Sequence, residues 1–201
     1  MIDADVRKKL GQFSLAASVT DGGFICLAGN NGSGKSSLMK AVAGFLPLDE
    51  GHVRINGIDV TRSPVETRGT VMVTPGSLIP HLGVDAHLAW GSRLKKLNTP
   101  SERLSMVKEE LGIDFAGRVS ELSLGMRERV SLATALLSGP KVILVDEAFS
   151  NLHERREFIA SYRKLTDEAG IDVIFSTQDE SDSSLSEHTY VISEGKTVRR
   201  S

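Results

Sequence analysis

The sequence of residues 24–36 is FICLAGNNGSGKS. Its first five residues form a short, continuous apolar run, which is typical of a strand buried on both faces of a sheet. Residues 29–36 fit the pattern GxxxxGK[ST], and apolar residues then recur at helical spacing from Leu38 to Phe45. The stretch therefore predicts a strand, a glycine-rich loop and a helix, in that order.

This unit indicates a nucleotide site. Glycines let backbone N–H groups curl around phosphate oxygens, and a helix N-terminus favours negative charge. In this motif Lys35 reaches the β- and γ-phosphates, which makes it catalytic as well as binding, and the Ser36 hydroxyl ligates Mg²⁺. The residues predicted to bind nucleotide in this loop are Gly29, Asn30, Asn31, Gly32, Ser33, Gly34, Lys35, Ser36 and Ser37.

A second apolar run ends in two acids, because residues 142–147 are VILVDE. An acid at the carboxyl end of a buried parallel strand lies beside the phosphate loop, so Asp146 is the predicted metal ligand. Glu147 is then placed to orient or deprotonate an attacking water. We expect both carboxylates in the same site as residues 29–36.

The composition excludes several classes of protein. Of 201 residues, 40% are hydrophobic and 25% are charged, which excludes a disordered chain. Lys and Arg number 24 against 26 for Asp and Glu, so no basic footprint suggests a nucleic-acid partner. The single cysteine, Cys26, excludes a disulfide framework. No apolar run reaches the length of a membrane span and no signal-peptide pattern opens the chain, so we expect a soluble, cytoplasmic protein.

Strand-like runs and helical periods alternate along the chain, which favours an α/β fold. Asn56-Gly57 predicts a type I′ turn within a hairpin over residues 53–60. Thr99 is the predicted cap of a helix that ends near Gly112, and a second helix is expected across residues 153–169. A hairpin around Glu194-Gly195 closes the pattern.

A further segment resembles a known family. Residues 122–133 are LSLGMRERVSLA, which resembles the signature segment of ATP-binding cassette (ABC) ATPases. The order of phosphate loop, signature and acid-ended strand is also that family's order. The resemblance implies that Ser123 and Gly125 face the γ-phosphate of ATP held by a partner subunit. The segment is a variant, since Leu124 replaces the usual second glycine and Met126 the usual glutamine.

The resemblance covers nearly the whole chain and extends to loop sequences at residues 10–13, 68–69, 78–82 and 89–91. These loops are most similar to the ATPase subunits of molybdate, tungstate and sulfate-type importers. Aromatic residues upstream of the phosphate loop stack on adenine in this family. Phe13 either does the same or only packs the small sheet, and the sequence leaves both open.

The fold implied is a P-loop NTPase core with a mostly parallel sheet, a small antiparallel β subdomain and an inserted helical subdomain. We expect one domain, with the core at about residues 1–76 and 138–201. The helical lobe, at about residues 77–137, carries the signature. Both stretches of the core contribute to the nucleotide site.

The function implied is an ATPase that powers solute transport, with an oxyanion as a candidate solute. ATP and Mg²⁺ are the expected cofactors, and a head-to-tail homodimer and a transmembrane permease are the expected partners. Residues 78–82 lie where this family receives a helix of its permease. The chain would then be peripheral on the inner face of the cell membrane.

Three positions depart from the family pattern. Thr74 or Pro75 stands at the place of an expected glutamine, His153 replaces an aspartate and Gln178 replaces a histidine. Losing one donor to developing phosphate charge costs on the order of 10²–10³ in rate, although Gln178 keeps amide donors that can orient water. We expect intact ATP binding with slow hydrolysis.

Two other functions stay in consideration. One is a degenerate module in which ATP holds a dimer together with little turnover; the three departures favour it, and the retained Glu147 opposes it. The other is a small P-loop kinase, against which the signature at residues 123–125 argues. A steady-state ATPase assay separates the first from an active transporter subunit.

Overall fold

The computed structural model describes residues 1–94 and 100–200. Within those residues ten strands form one mixed sheet in the order β5-β4-β1-β2-β10-β9-β3-β8-β7-β6. The strands are β1 (Ile2–Leu10), β2 (Phe13–Asp21), β3 (Phe24–Ala28), β4 (Glu50–Ile55), β5 (Ile58–Asp59), β6 (Thr70–Val73), β7 (Val142–Val145), β8 (Asp172–Thr177), β9 (His188–Ser193) and β10 (Lys196–Arg200).

Five α-helices accompany the sheet in the described ranges. They are α1 (Lys35–Ala43), α2 (Val84–Leu94), α3 (Ser101–Glu110), α4 (Leu124–Leu137) and α5 (Arg155–Glu168). Thr99, the predicted cap of α3, lies outside the described residues. Among the described residues, no helix is both long enough and apolar enough to cross a membrane.

The parallel half of the sheet positions the site. Strands β9, β3, β8, β7 and β6 pair in parallel, with Ala28 opposite Thr177 and Val145 opposite Phe175. The carboxyl ends of β3, β8 and β7 therefore meet at one edge. This register brings the loop that begins at Gly29 next to Gln178 and Asp146, as expected for ligand sites of parallel sheets.

The antiparallel half is built from β1, β2, β4 and β5. Asn56 and Gly57 both have positive φ, 51° and 78°, so the predicted type I′ turn is confirmed. The sequence predicted two sheets, but β10 joins them, because it pairs antiparallel with β9 and meets β2 through Lys196 and Ala16. The predicted α/β class is confirmed, with one continuous mixed sheet.

Apolar residues cover both faces of the parallel strands. Phe24 and Cys26 of β3 belong to a cluster shared with α2–α5, whereas Ile25 and Leu27 belong to a second cluster with α1 and the antiparallel strands. Burial of each large aliphatic side chain contributes about 1.5–3 kcal/mol. Helices α2–α4 belong to the same apolar cluster as strands of the sheet. The predicted division into a core and a helical lobe, at about residues 77 and 137, therefore stays a prediction.

Candidate functional site

The glycine-rich loop joins β3 to α1 and is held against the sheet. The Gly29 amide donates to the Thr177 carbonyl across 3.2 Å. A Cβ at Gly29 would lie 2.4 Å from the carbonyl oxygen of Ile192, so any side chain there would displace β9. Gly34, with φ of 113°, begins α1 in a backbone conformation that favours glycine. The loop therefore needs glycine at both ends.

The remaining loop residues differ in exposure. Asn30, Asn31 and Gly32 form the exposed tip, whereas Ser36 and Ser37 in the first turn of α1 are partly buried. Ser33 is buried, and in the described part of the chain its Oγ has no hydrogen-bond partner. A buried hydroxyl without a partner is costly, and a ligand oxygen in the loop would relieve that cost.

Lys35 points back into the loop. Its side chain is 5% exposed, and Nζ donates to the carbonyls of Gly29 at 2.7 Å and Asn30 at 3.0 Å. Burial lowers the pKa of Lys35, while the nearby carboxylates of Glu147 and Asp146 act in the opposite direction. The lysine charge thus lies within electrostatic reach of both predicted acids.

Ser176 of β8 joins the two acids that follow β7. Its Oγ donates to Asp146 Oδ1 at 2.9 Å and accepts the Glu147 amide at 3.0 Å. The Asp146 amide donates to the Val73 carbonyl of β6 at 2.8 Å. Asp146 is therefore held from the strands on both sides of β7, and its carboxylate keeps lone pairs available for a cation.

Glu147 has a strained backbone at the edge of the sheet. Its φ of 60° is in the left-handed region, which costs a residue other than glycine about 1–3 kcal/mol. Gln178 Nε2 donates to Glu147 Oε1 across 3.4 Å. The structure thus brings together Lys35, Asp146, Glu147 and Gln178, as the sequence predicted for the carboxyl edge.

Thr74 and His153, the other two departures from the family pattern, have hydrogen-bond partners outside this cluster. Thr74 belongs to a closed turn, because its amide donates to Ser77 Oγ at 2.9 Å and its hydroxyl contacts the same atom at 3.0 Å. His153 is exposed, and its carbonyl accepts from Arg129 at 3.2 Å. Neither side chain hydrogen-bonds Asp146 or Glu147 among the described residues.

Ser123 and Gly125 lie at the N-terminus of α4. Ser123 caps the helix by accepting the Met126 amide at 3.3 Å. A Cβ at Gly125 would lie 2.9 Å from the carbonyl oxygen of Asn151, in the loop after β7. In the described residues of this single chain, no hydrogen bond joins Ser123 or Gly125 to the phosphate loop.

Phe13 packs against the phosphate loop. Its ring belongs to the partly buried margin of the cluster around α1. A Cβ built on Gly34 would lie 3.2 Å from the tip of that ring. The structure therefore shows packing of Phe13, and adenine stacking stays a prediction.

The donor set suits Mg²⁺ bound together with a phosphate ligand. Among the described residues, no group of three or more His, Cys, Asp or Glu side chains could hold a metal ion. Mg²⁺ is usually held by one or two carboxylates, waters and substrate phosphates rather than by an all-protein cage. Asp146 and the Ser36 hydroxyl fit that requirement.

Sequence reasoning missed three buried polar residues: Ser176 beside the two acids, Glu128 in α4 and His87 in α2. Ser176 carried a usable signal, because a polar residue at the carboxyl end of a buried strand has to find a partner. Glu128 and His87 are almost fully buried in helices. Their partners lie on distant segments, and no local pattern identifies those partners.

Comparison with known proteins gives one family match and three similar sequences. A sequence model of the family described as "ABC transporter" matches residues 13–150. The chain is 36% identical over 204 aligned positions to the thiamine import ATP-binding protein ThiQ of Jannaschia sp. (strain CCS1), covering 96% of this chain and 89% of that protein. It is 35% identical to the sulfate/thiosulfate import ATP-binding protein CysA of Synechocystis sp., covering 96% of this chain and 58% of that protein.

A third relative and one solved structure complete the comparison. The spermidine/putrescine import ATP-binding protein PotA of Hahella chejuensis is 34% identical, covering 96% of this chain and 54% of that protein. The chain thus spans nine-tenths of the thiamine protein but little more than half of the other two. The fold matches a structure titled "Structure of ATP binding subunit of ABC transporter" with a TM-score of 0.85, 18% identity and coverage of 100% of this chain and 89% of that one.

Proposed function

This chain belongs to the ATP-binding subunits of ABC transporters, and on that premise we propose that it hydrolyses Mg-ATP with Glu147 to drive solute import through a permease. The observation that carries the proposal is the hydrogen-bonded cluster at the carboxyl edge. There Ser176 bridges Asp146 and Glu147, and Gln178 lies against Glu147, on strands adjacent to the phosphate loop.

ATP binding is supported by the charge and the donors of the loop. The N-terminus of α1 and the buried ammonium group of Lys35 favour the β- and γ-phosphates. Ser33 Oγ is a further donor without a partner among the described residues. Residues 29–37 therefore form the proposed phosphate site, with Ser36 and Asp146 holding Mg²⁺, which supplies charge neutralisation to the phosphates when bound.

Hydrolysis is supported by the placement of Glu147. Its backbone is held by Ser176, and its carboxylate accepts from Gln178, which leaves a second oxygen to take a proton from water. We expect slow turnover, because the amide group of Gln178 carries no positive charge that could stabilise the negative charge developing on the phosphate. Gln178 then orients the water with its amide group.

A head-to-tail homodimer completes the proposed site. Ser123 and the exposed Leu124 stand at the N-terminus of α4, where backbone N–H groups favour an anion. In this arrangement they and Gly125 meet the γ-phosphate held by the second copy. Two such contacts arise in one two-fold interface.

A permease partner is supported by an apolar recess between β6, α2 and α4. Its volume is about 470 Å³, and its lining includes Leu78, Ile79 and Trp90. None of its described lining residues is Asp, Glu, Lys or Arg, and Trp90 is 42% exposed. Exposed aromatic groups beside an apolar pocket are typical of protein interfaces. We propose that residues 78–82 receive the permease, which would place the chain at the inner face of the membrane.

The transported solute is not part of the proposal. The names of the three relatives include thiamine, spermidine and putrescine, and sulfate and thiosulfate. These solutes share no charge or size. Solute choice therefore belongs to other subunits of the transporter, and the predicted oxyanion remains one candidate among several.

Steady-state phosphate release from Mg-ATP tests the proposed function. We expect measurable hydrolysis by the wild-type chain and a loss of about hundredfold or more in Glu147→Gln, because a general base contributes 10²–10⁴ in rate. Glu157→Gln, which changes an exposed acid on α5, is the matched control and should retain activity. Hydrolysis that does not depend on Glu147 would contradict the proposal.

A further inference from the structure

Glu128 is a buried acid in the second turn of α4. Its side chain is 2% exposed, yet it faces a loop rather than an arginine or lysine. Oε1 accepts from Asn151 Nδ2 at 2.7 Å, and Oε2 accepts from the Asn151 backbone amide at 3.2 Å. One carboxylate thus binds both donors of a single residue on another segment.

The contact between Glu128 and Asn151 contributes little to the stability of the fold. Burial raises the pKa of Glu128, and the two bonds from Asn151 only partly offset the cost of desolvation. Buried ionic groups contribute little net stability compared with apolar residues of the same volume. The carboxylate instead fixes the orientation of Asn151, because bidentate, charge-assisted bonds hold a partner in one orientation.

Two neighbouring contacts hold the same loop to the same helix. Gly125 lets the Asn151 carbonyl approach so closely that a Cβ would lie 2.9 Å from it. Arg129 donates to the His153 carbonyl at 3.2 Å and to the Leu111 carbonyl at 2.7 Å. The loop after β7 is therefore attached to α4 at residues 151 and 153.

This loop begins at the proposed catalytic base. The Ser150 amide donates to the Glu147 carbonyl at 3.1 Å, and Asn151 follows directly. The left-handed backbone of Glu147 costs energy, so it persists only where contacts on both sides hold it. Ser176 holds the Glu147 backbone on the side of the sheet, and the contacts of Asn151 hold it on the side of α4.

We propose that Glu128 is a positioning residue for Glu147: by binding both donors of Asn151 it fixes the loop that aims the base. The inference rests on the proposed function in one respect, that Glu147 is the base. It also makes the N-terminus of α4, with Ser123, and the segment from Glu147 to Asn151 one rigid unit. A shift of α4 then moves the base with it.

Swapping the carboxylate of Glu128 and the amide of Asn151 between the two positions tests the proposal. In Asn151→Asp a new carboxylate faces that of Glu128 and cannot donate, so we expect kcat to fall about tenfold or more. In Glu128→Gln the Asn151 amide can turn over and keep two bonds, so kcat should stay within about threefold. In the double variant the new amide donates to the new carboxylate and accepts the backbone N–H, so kcat should return to within about threefold of wild type.

The measurements separate positioning from general stability. We expect the dissociation constant for ATP, measured by calorimetry, to stay within about twofold in all three variants while kcat changes. Glu109→Gln, an exposed acid on α3, is the matched control. If Asn151→Asp fails to fold, Glu128→Ala replaces it, since it leaves both Asn151 donors unpaired and should lower kcat in the same way.

Amide hydrogen exchange at Asn151 gives a readout without hydrolysis. We expect protection of this amide in wild type and the double variant, and its loss in Asn151→Asp. Unchanged kcat in Asn151→Asp, or a double variant as slow as Asn151→Asp, would overturn the inference. If wild-type hydrolysis does not depend on Glu147, the proposed function has failed instead, and exchange at Asn151 still reports whether the contact exists.

Discussion

Gln178 donates from Nε2 to Oε1 of Glu147 across 3.4 Å, at the edge where β8 and β7 lie side by side. The amide therefore touches the proposed base itself. It is neutral, so it orients the base or its water without adding charge. Because of this contact, we expect a substitution at residue 178 to change the rate of ATP hydrolysis.

Gln178→His should raise kcat by about tenfold to hundredfold, because one charge-stabilising contact is worth at most about 3–4 kcal/mol and glutamine supplies part of it. Single-turnover measurement at saturating Mg-ATP isolates chemistry from product release. Asp179→Asn, an exposed neighbour, is the control. A rate within twofold of wild type would show that this position does not limit hydrolysis, and a fall would show that glutamine serves hydrolysis better than histidine at this position.

Lys35→Ala should weaken ATP binding at least about tenfold, since it removes a charge-assisted contact to the phosphates. Calorimetry with Mg-ATP measures the effect. Lys40→Ala removes an exposed lysine from the same helix, and its affinity should match wild type. Equal affinities for all three proteins would exclude residues 29–37 as the phosphate site.

Glu147→Gln should dimerise in saturating Mg-ATP, because ATP that is not hydrolysed continues to join the two copies. Sedimentation velocity with and without nucleotide measures the state. Adding Lys35→Ala to the same chain should abolish the dimer by preventing binding. A monomer for Glu147→Gln under these conditions would contradict the two-fold composite site.

Ile79→Glu should weaken attachment to the permease by about tenfold or more, because it places a charge at an apolar contact surface. ATP affinity should not change. Ile58→Glu is the control, since Ile58 is 56% exposed at the other end of the sheet. Co-purification with the transporter's own permease in detergent measures attachment, and equal recovery of both variants would place the docking surface elsewhere.

His87 should make the stability of the fold depend on pH. The ring is buried, Nε2 accepts the Ile79 amide at 3.1 Å, and Nδ1 contacts Thr134 Oγ1 at 2.8 Å. Burial lowers the pKa of His87, so the neutral ring is favoured in the folded state. Its contribution to stability is therefore present above the ordinary histidine pKa of about 6.5 and is lost as pH falls toward the folded pKa.

Denaturant unfolding at pH 7.5 and at successively lower pH measures this effect. His87→Gln keeps an acceptor near Ile79 but does not titrate, so the free energy of unfolding should depend less on pH than in wild type. If the free energy of unfolding depends on pH equally in wild type and His87→Gln, His87 does not have this role.

The sequence alone determined the local units. A glycine-rich loop between an apolar run and a helical period has few backbone solutions, so the strand, loop and α1 follow from residues 24–45. Asn56-Gly57 likewise determined its turn, because both residues tolerate positive φ. Two acids after an apolar run indicated the carboxyl end of β7, and the parallel neighbours of that strand brought them to the phosphate loop.

Only the tertiary structure decided which side chains meet across these units. The contacts of Ser176 with Asp146 and Glu147 depend on the register of β8 against β7, and that of Glu128 with Asn151 depends on how α4 packs on the loop. The joining of two predicted sheets depends in the same way on the path of β10. Local conformation is set by a residue and its near neighbours, whereas these contacts arise when distant apolar faces pack into shared cores, and no short stretch of sequence carries that information.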